Sequence, residues 1–483
     1  MKFLRVSDVY YPHALEGITD IVEKNSEKNF NTCRDLVLKN RFMYSDALTK
    51  ELSKYDYDAQ EIITDSKSLQ QKWAIENNIS YSEDNWKIEI FYSQLRTIQP
   101  DILYLQGPYV IPFEFRKNIK FEFKFIKLVI LYLGLPEAYD QLEGIDLIFG
   151  CTPNIVSRVP LEARPKTRLV YHSFDTTVAT LNHVKQPKKI NFSFVGSTGC
   201  GLVGNHLSRY HTLIHLMDET PLEIWGNEIS LNFLQEIATK PTKKVLNNHL
   251  KAALNLLPLK LLNKILAPQI LPQFLREKLD DIRFAKIAEY LFPKLGEKGL
   301  EALIRGNSLP PKFVHLAQIY LHDWRAYNFP GIQECYDNDL NKVQFFPHRP
   351  VIPISSIYPN RCHPPVFGSQ MFDLHSSSKI SLNIHTNYVA GMVGNMRMFE
   401  VTGVGGCLLT DTGGNLKDLF KPDEEVVTFS NKDECREKAL YLLENDKVRE
   451  TISRSGMKKT LSSHTFKIRC REIDHHIQDC LKN

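Results

Sequence analysis

Short, continuous apolar runs mark the N-terminal part of the chain: PDILYLQ, FIKLVILYLG, IDLIFGC and TRLVYHS. Each is crowded with Leu, Ile and Val, and each is followed by a glycine, a polar turn or a helix-like stretch. Apolar residues at successive positions, not alternate ones, suit parallel strands buried on both faces. KFLRVSDV predicts a further strand at the start. From about 31 to 78 the chain reads as helices, with LVLKNRFMYSDALTKELSKY carrying apolar residues at helical spacing. Residues 1–183 thus predict a doubly wound α/β domain, and the polar, basic NHVKQPKK at 182–189 predicts a linker.

A second α/β unit, 184–483, opens on INFSFVGSTG, a strand running into a Gly-Ser-Thr-Gly turn. PLEIWGNE, SKISLNIHT and EVVTFS continue it. Between about 231 and 321 the strand signal vanishes and leucine-rich helical sequence replaces it, which predicts a helical insertion. Further on, SLNIHT predicts a strand, 395–403 a helix and GCLLTD the next strand, together a right-handed βαβ unit.

Length and composition support this picture. A chain of 483 residues can bury two full cores, and 43% hydrophobic with 24% charged residues is a globular composition. The formal net charge of +4 gives no ground for a nucleic-acid partner. MKFLRVSDVYYP lacks a signal-peptide core, and no run approaches the roughly 20 apolar residues of a membrane span. Those features predict a cytoplasmic protein. Nine scattered cysteines without a C-x-x-C pair predict free thiols and no metal centre.

The candidate chemistry lies in NMRMFEVTGVGGCLLTD, 395–411. Arg397 and Glu400 stand about one helical turn apart and are expected to face outward together, with Met396 and Phe399 toward the sheet. Ligands of open α/β sheets sit at the carboxyl ends of the strands, where this helix begins. A glutamate there can accept two hydrogen bonds from a ribose diol, and an arginine can neutralise phosphate oxygens. Gly405 and Gly406 keep the next turn tight. Gly413 and Gly414 precede the helix NLKDLF, whose N–H groups can face an anion. This pattern describes a nucleotide-diphosphate pocket. The alternative is an ordinary surface ion pair on an amphipathic helix, worth less than about 1 kcal/mol.

The run from VFGSQMFDLHSSSKISLNIHTN through GNMRMFEVTGVGGCLLTDTGGNLKDLF to CREKALYLL, with the later SGMKKTLSSHTFKIR, resembles the donor-binding domain of group-1, spore-maturation-protein-like (CgeB-like) glycosyltransferases. The resemblance covers at least 366–470. It extends more weakly to FSFVGSTG and PLEIWG, and to PDILYLQ, GIDLIFGCTPNIV and YHSFD. It implies the GT-B architecture: two Rossmann-like domains across a cleft, acceptor mostly on the first, nucleotide sugar on the second, and a final helix returning to the first. By the same resemblance Glu400 would contact the ribose, and Arg397 and Asn395 would lie near the diphosphate. Gly196 and Ser197 would bring backbone to the phosphates, while Asn383 and His385 would point into the cleft. Many members carry a second glutamate eight positions before the first; here that place holds Met392.

Other residues carry alternatives. His385 reads as a cleft residue or as a satisfied histidine at a strand end. DND at 337–339 mimics a metal-binding D-x-D but sits in a polar stretch that favours a turn. Thr465 or Ser463 suits a helix cap, and His475 and His476 are expected to face solvent. Asp8 and His13 follow the first strand, and Gln106 and Gly107 end PDILYLQ. These are acceptor-side positions, where an acid or histidine can act as general base. The leucine- and lysine-rich segment around 250–280 fits either a packed helical subdomain or a peripheral contact with an acidic membrane, at its inner face.

The expected function is transfer of a sugar from a nucleotide-diphosphate sugar to a hydroxyl of a glycan, lipid-linked or protein acceptor, with no cofactor and no metal. Arg397, backbone N–H groups near Gly196 and Gly413, and helix dipoles would meet the leaving-group charge. A non-catalytic nucleotide-sugar or glycan-binding protein is the alternative, and an epimerase or phosphorylase on the same frame is a third.

Overall fold

The computed structural model describes residues 1–9, 12–41, 45–134, 142–180, 187–199, 207–227, 295, 298–299, 301–302, 353–386, 389 and 391–482. The expected insertion at 231–321, apart from 295, 298–299 and 301–302, falls outside them, as do the 250–280 segment and the DND at 337–339.

Two six-stranded parallel sheets organise the chain. The first contains β1 (Lys2–Ser7), β2 (Asp58–Ile63), β3 (Ile102–Leu105), β4 (Leu128–Leu133), β5 (Leu147–Gly150) and β6 (Thr167–Leu169), in the order β2-β1-β3-β4-β5-β6. The second contains β7 (Ile190–Ser197), β8 (Leu222–Asn227), β9 (Cys362–His363), β10 (Ser378–Asn383), β11 (Cys407–Asp411) and β12 (Val427–Phe429), in the order β12-β11-β10-β7-β8-β9. Every residue of β3, β4 and β5 is buried, as continuous apolar strands between two helical layers must be. This is an α/β architecture built on two parallel sheets.

Around the first sheet lie α1 (Pro12–Glu23), α2 (Phe30–Lys39), α3 (Ala47–Leu52), α4 (Lys67–Glu76) and α5 (Trp86–Ile98). Around the second are α6 (Leu207–Glu219), α7 (Gly368–Ser377), α8 (Met396–Gly403), α9 (Lys432–Glu444) and α10 (Asp446–Ser463), followed by α11 (Phe466–Lys482). The all-helical reading of 31–78 needs correction, because DAQEII is β2. It is an edge strand with one neighbour, so its outer half stays polar and the apolar-run signal is weak.

β2 also carries a buried ion pair. Arg5 and Glu61 are register partners on adjacent strands, 1% and 4% exposed, and Arg5 Nη1 donates to Glu61 Oε1 at 2.8 Å. Arg5 Nε donates to Gln106 Oε1 at 2.8 Å and so fixes a side chain at the end of β3. Burial pushes the Glu61 carboxyl up to about 7 against the opposing pull of Arg5.

The two units are joined tightly. Phe174 N–H donates to the His464 carbonyl at 2.8 Å, and Phe466 N–H returns to the Phe174 carbonyl at 3.2 Å. α11 then buries Cys470, Ile473 and Ile477 in the core of the first sheet, and Asp474 accepts from the Tyr57 hydroxyl at 2.7 Å.

Candidate functional site

In each sheet the strand order reverses at one place, and such a reversal opens a crevice at the carboxyl ends of two neighbouring strands. In the second sheet it falls between β7 and β10. Gly196 and Ser197 end β7 and Asn383 ends β10, so three sequence candidates flank this crevice. In the first sheet the reversal lies between β1 and β3, with Asp8 and Gln106 just beyond the strand ends.

The loop leading into α8 is held from the sheet. Asn395 stands at the cap position but makes no side-chain cap bond. Its amide instead pairs reciprocally with Asn383, Nδ2 to Oδ1 at 2.8 Å one way and 3.1 Å the other. Asn383 Nδ2 also donates to Thr410 Oγ1 at 3.1 Å. His385, 5% exposed, receives the Gly394 backbone N–H on Nε2 at 3.2 Å. An accepting Nε2 puts the proton of the neutral ring on Nδ1, which faces Asp411 Oδ1 at 2.6 Å. Asp411 also accepts the His385 backbone N–H at 2.9 Å. Both ring nitrogens are therefore engaged, and the ring fixes the turn before α8. Asp411, the last residue of GCLLTD, is the partner that sequence reading did not single out.

Arg397 and Glu400 are together but do not face outward. Glu400 is 8% exposed, and Arg397 Nη1 lies 2.8 Å from its Oε2. The same nitrogen lies 3.0 Å from His375 Nε2. The expected orientation fails because α7 lies against this face, its Met371 and His375 meeting Arg397 Nη1, while α10 covers the opposite face, where the Thr402 and Thr460 hydroxyls meet at 2.6 Å. With that second layer in place Met398 and Phe399 fill the core, and Met396 is half-buried on a cavity wall instead of lying against the sheet. Burial raises the Glu400 carboxyl from its ordinary range, and the Arg397 charge opposes that rise. Burial and the same guanidinium drive the His375 imidazole well down. A neutral His375 accepts from Arg397 on Nε2 and presents Nδ1–H to Ser381 Oγ at 3.0 Å. A chain of polar contacts thus runs from β10 to Glu400.

Glu400 reaches the gap between the two units. It shares a cavity of about 50 Å³ with Gln106, Tyr132, His172 and Asp175 from the first unit and with Arg469 of α11. Tyr132 hydroxyl and His172 Nδ1 are 3.1 Å apart, and burial lowers the His172 imidazole. Asp8 and His13 do not line this cavity. Asp8 is half-buried, its carboxyl raised by burial and by Asp65. His13 is exposed and 3.4 Å from Glu16.

The glycine pair at 413–414 plays another part than expected. Gly414 N–H donates to the Gly391 carbonyl at 2.9 Å, and only the single turn Leu416–Leu419 follows. Asn415, 5% exposed, ties the same loops, accepting from Val393 N–H at 2.8 Å and donating to the Tyr171 hydroxyl at 3.1 Å. A Cβ on Gly413 would meet Val393 Cγ1 at 2.6 Å, so close packing of two loops demands glycine there. Met392, at the place of the missing glutamate, lays its Cε against Gly414, 3.3 Å from where a Cβ would stand. At the C-terminus His476 packs against the Phe149 ring at 6.0 Å and does not face solvent as expected, whereas His475 is exposed.

Residues 342–475, which hold β10, α8, β11 and their loops, match the glycosyl transferase-like family model. That match covers less than a third of the chain. No curated protein matches the sequence. Among solved structures it is similar to a glycosyltransferase from Rickettsia africae, at 8% identity over 100% of this chain and 99% of that one, TM-score 0.46. It is similar also to Anabaena Alr3699/HepE in complex with UDP and glucose, at 8% identity over 99% of both chains, TM-score 0.46. A third is a sucrose-phosphate synthase from Thermosynechococcus elongatus, at 9% identity over 90% of this chain and 92% of that one, TM-score 0.44. Among the described residues no helix is long and apolar enough to cross a membrane.

Proposed function

We propose that the protein transfers a sugar from a nucleotide-diphosphate sugar to an acceptor hydroxyl, with the donor at the β7/β10 crevice. The observation that carries this reading is the position of Glu400, an acid on the wall of the gap between the two units, one helix away from that crevice. In this reading Glu400 accepts from the ribose hydroxyls and Arg397 holds it in place. Backbone near Gly196 and Ser197 approaches the diphosphate. No step in it calls on a metal: the charge of the leaving group is met by Arg397 and backbone N–H groups in a site shielded from water. His385 acts through the turn it fixes, and Gln106, held by Arg5, stands on the acceptor side.

Incubation with a panel of nucleotide sugars tests the proposal. A transferase should release nucleoside diphosphate slowly from one donor by hydrolysis, and faster once an acceptor is supplied. A second reading, a binder without turnover, draws support from Met392, which leaves a thioether where many relatives place a carboxylate. It predicts thermal stabilisation by one nucleotide sugar with no release. Stabilisation by none of the panel refutes both readings.

A further inference from the structure

Gln106, just beyond β3, has its side-chain amide oriented by a buried partner. Arg5 Nε can only donate, so the atom it meets at 2.8 Å is the amide oxygen, Oε1. Nε2 is then the end left to the gap between the units, whose cavity Gln106 lines. Among the described residues Nε2 has no hydrogen-bond partner, and it is not sealed from solvent. Arg469 of α11, 6% exposed, lines the same cavity. Its Nε donates to Ser173 Oγ at 3.2 Å and its Nη1 to Glu472 Oε2 at 2.5 Å, while Nη2 has no partner among the described residues and is likewise not sealed. The carboxylate beside them is already used. Asp175 Oδ1 accepts the Thr177 N–H at 2.9 Å and the Thr177 hydroxyl at 2.7 Å, and Oδ2 lies 3.3 Å from Arg41 Nη1. The other charges of the cavity wall are matched, Glu400 by Arg397 at 2.8 Å and Arg41 by Asp46 at 2.9 Å and by Asp175. Glu472, the partner of Arg469, has a side chain 41% exposed, where water weakens such a pair.

We propose that the sugar acceptor carries an oxyanion, a carboxylate or a phosphate ester, and that Gln106 Nε2 and Arg469 Nη2 bind it. The assignment of that group to the acceptor rests on the transferase reading; the binding of an oxyanion here does not. A guanidinium and an amide N–H both meet oxyanions through charge-assisted hydrogen bonds. Size agrees with this chemistry. The cavity of about 50 Å³ has room for about three to five waters at the roughly 10–15 Å³ each needs, which is the bulk of one such group and not of a whole sugar. Arg5, paired with Glu61 behind the site, is the positioning residue that keeps the donor end of Gln106 forward.

Calorimetry on the full-length protein with glucose 6-phosphate, glucuronate and glucose, in the absence of any nucleotide sugar, tests the proposal. At least one anionic probe should bind with a Kd on the order of 1 mM, roughly tenfold or more tighter than glucose, about 1.4 kcal/mol. Comparing the two anionic probes separates a phosphate site from a carboxylate site. Gln106→Glu keeps an oxygen for Arg5 Nε and replaces the free donor by a negative charge. It should weaken the better anionic probe roughly tenfold or more and glucose less than about threefold, with the melting temperature held. Arg469→Met keeps the stem, removes the charge and should weaken the anionic probe as well, with the fold checked by circular dichroism. Equal binding of all three probes to the wild type overturns the proposal, as does binding of none. Anionic binding that Gln106→Glu leaves untouched also overturns it, since the probe then sits elsewhere, the donor crevice included. A wild type that binds the anionic probe through Gln106 but binds no nucleotide sugar keeps this site and sinks the transferase reading.

Discussion

Glu400→Gln separates the two roles assigned to this side chain, because glutamine keeps its shape and removes its charge. Hydrogen bonds to a charged acceptor contribute roughly 1.5–3 kcal/mol each and neutral ones roughly 0.5–1.5. Two ribose bonds made neutral should therefore weaken donor binding by about 2–3 kcal/mol, roughly 30- to 150-fold. Stability should change little. The Arg397 ion pair at 2.8 Å is lost, but the amide oxygen can still accept from the guanidinium, and the burial cost that raises the Glu400 carboxyl disappears. Those terms oppose one another and should leave a net within about 1 kcal/mol. The pH dependence adds a sign. The ionised carboxylate is the better acceptor and its titration is raised, so donor affinity should grow as pH rises through that raised range and be flat in Glu400→Gln. Calorimetry with the released nucleoside diphosphate, at several pH values, measures this, and thermal denaturation reports the fold. Affinity within threefold of wild type would sink the ribose assignment. A large loss of stability with donor affinity unchanged would make Glu400 a structural residue.

Buried histidines should make the protein acid-sensitive. His464 is held neutral by burial down to about 4, and burial and the Arg397 charge hold the His375 imidazole well below its ordinary range, while both take up a proton near 6.5 once unfolded. The unfolded chain then binds more protons, so stability falls as pH drops below 6.5, by up to roughly 1.4 kcal/mol per unit per histidine. His464→Gln should flatten the fall of melting temperature between pH 6.5 and 4.5; an unchanged slope refutes this account. Gly403→Ala places a Cβ 2.4 Å from the Phe174 ring, and overpacking of that kind costs about 1–3 kcal/mol, readable by urea denaturation. Gly368 has φ +58°, and a Cβ there would lie 2.1 Å from the Asn40 carbonyl, which also accepts from Ser369 N–H at 2.9 Å. Gly368→Ala should push α7 from the end of α2 and raise the radius of gyration in X-ray scattering, and an unaltered scattering curve would show the contact to be pliant.

The strands of both sheets were legible wherever apolar residues run on without a break, as in FIKLVILYLG and GCLLTD. β2 was not, because DAQEII has a single neighbour strand and keeps polar residues on its outer half. The helix carrying Arg397 and Glu400 was legible from its spacing, yet its orientation was not. Periodicity gives the apolar stripe of a helix but does not say that α7 will stand against its charged side, nor that α10 will cover the face of Thr402. Hidden too were contacts between residues distant in sequence. His375 lies 22 positions from Arg397 and Asp411 26 from His385, and no local pattern ties either pair.

The polar contacts around α8 make sense together as a means of holding one carboxylate still. Asn383 fixes Asn395, His385 fixes Gly394, and Ser381 reaches Glu400 through His375 and Arg397, so three residues of one strand or its end determine where the helix starts and where its acid points. A long side chain on a surface helix would lose rotamer freedom only on meeting its ligand. Here that ordering is complete beforehand, at the cost of burying charge in a cavity of about 50 Å³. Such a cavity is far below the roughly 300 Å³ or more of a small-molecule pocket, so a whole nucleotide sugar does not fit inside it. Glu400 can then meet a donor only at its edge, from the crevice side, or after the two units separate at contacts such as that between Gly368 and Asn40. The mutant at Gly368 consequently bears on binding as well as on shape: if separation admits the donor, loosening that contact should speed donor association more than it changes dissociation.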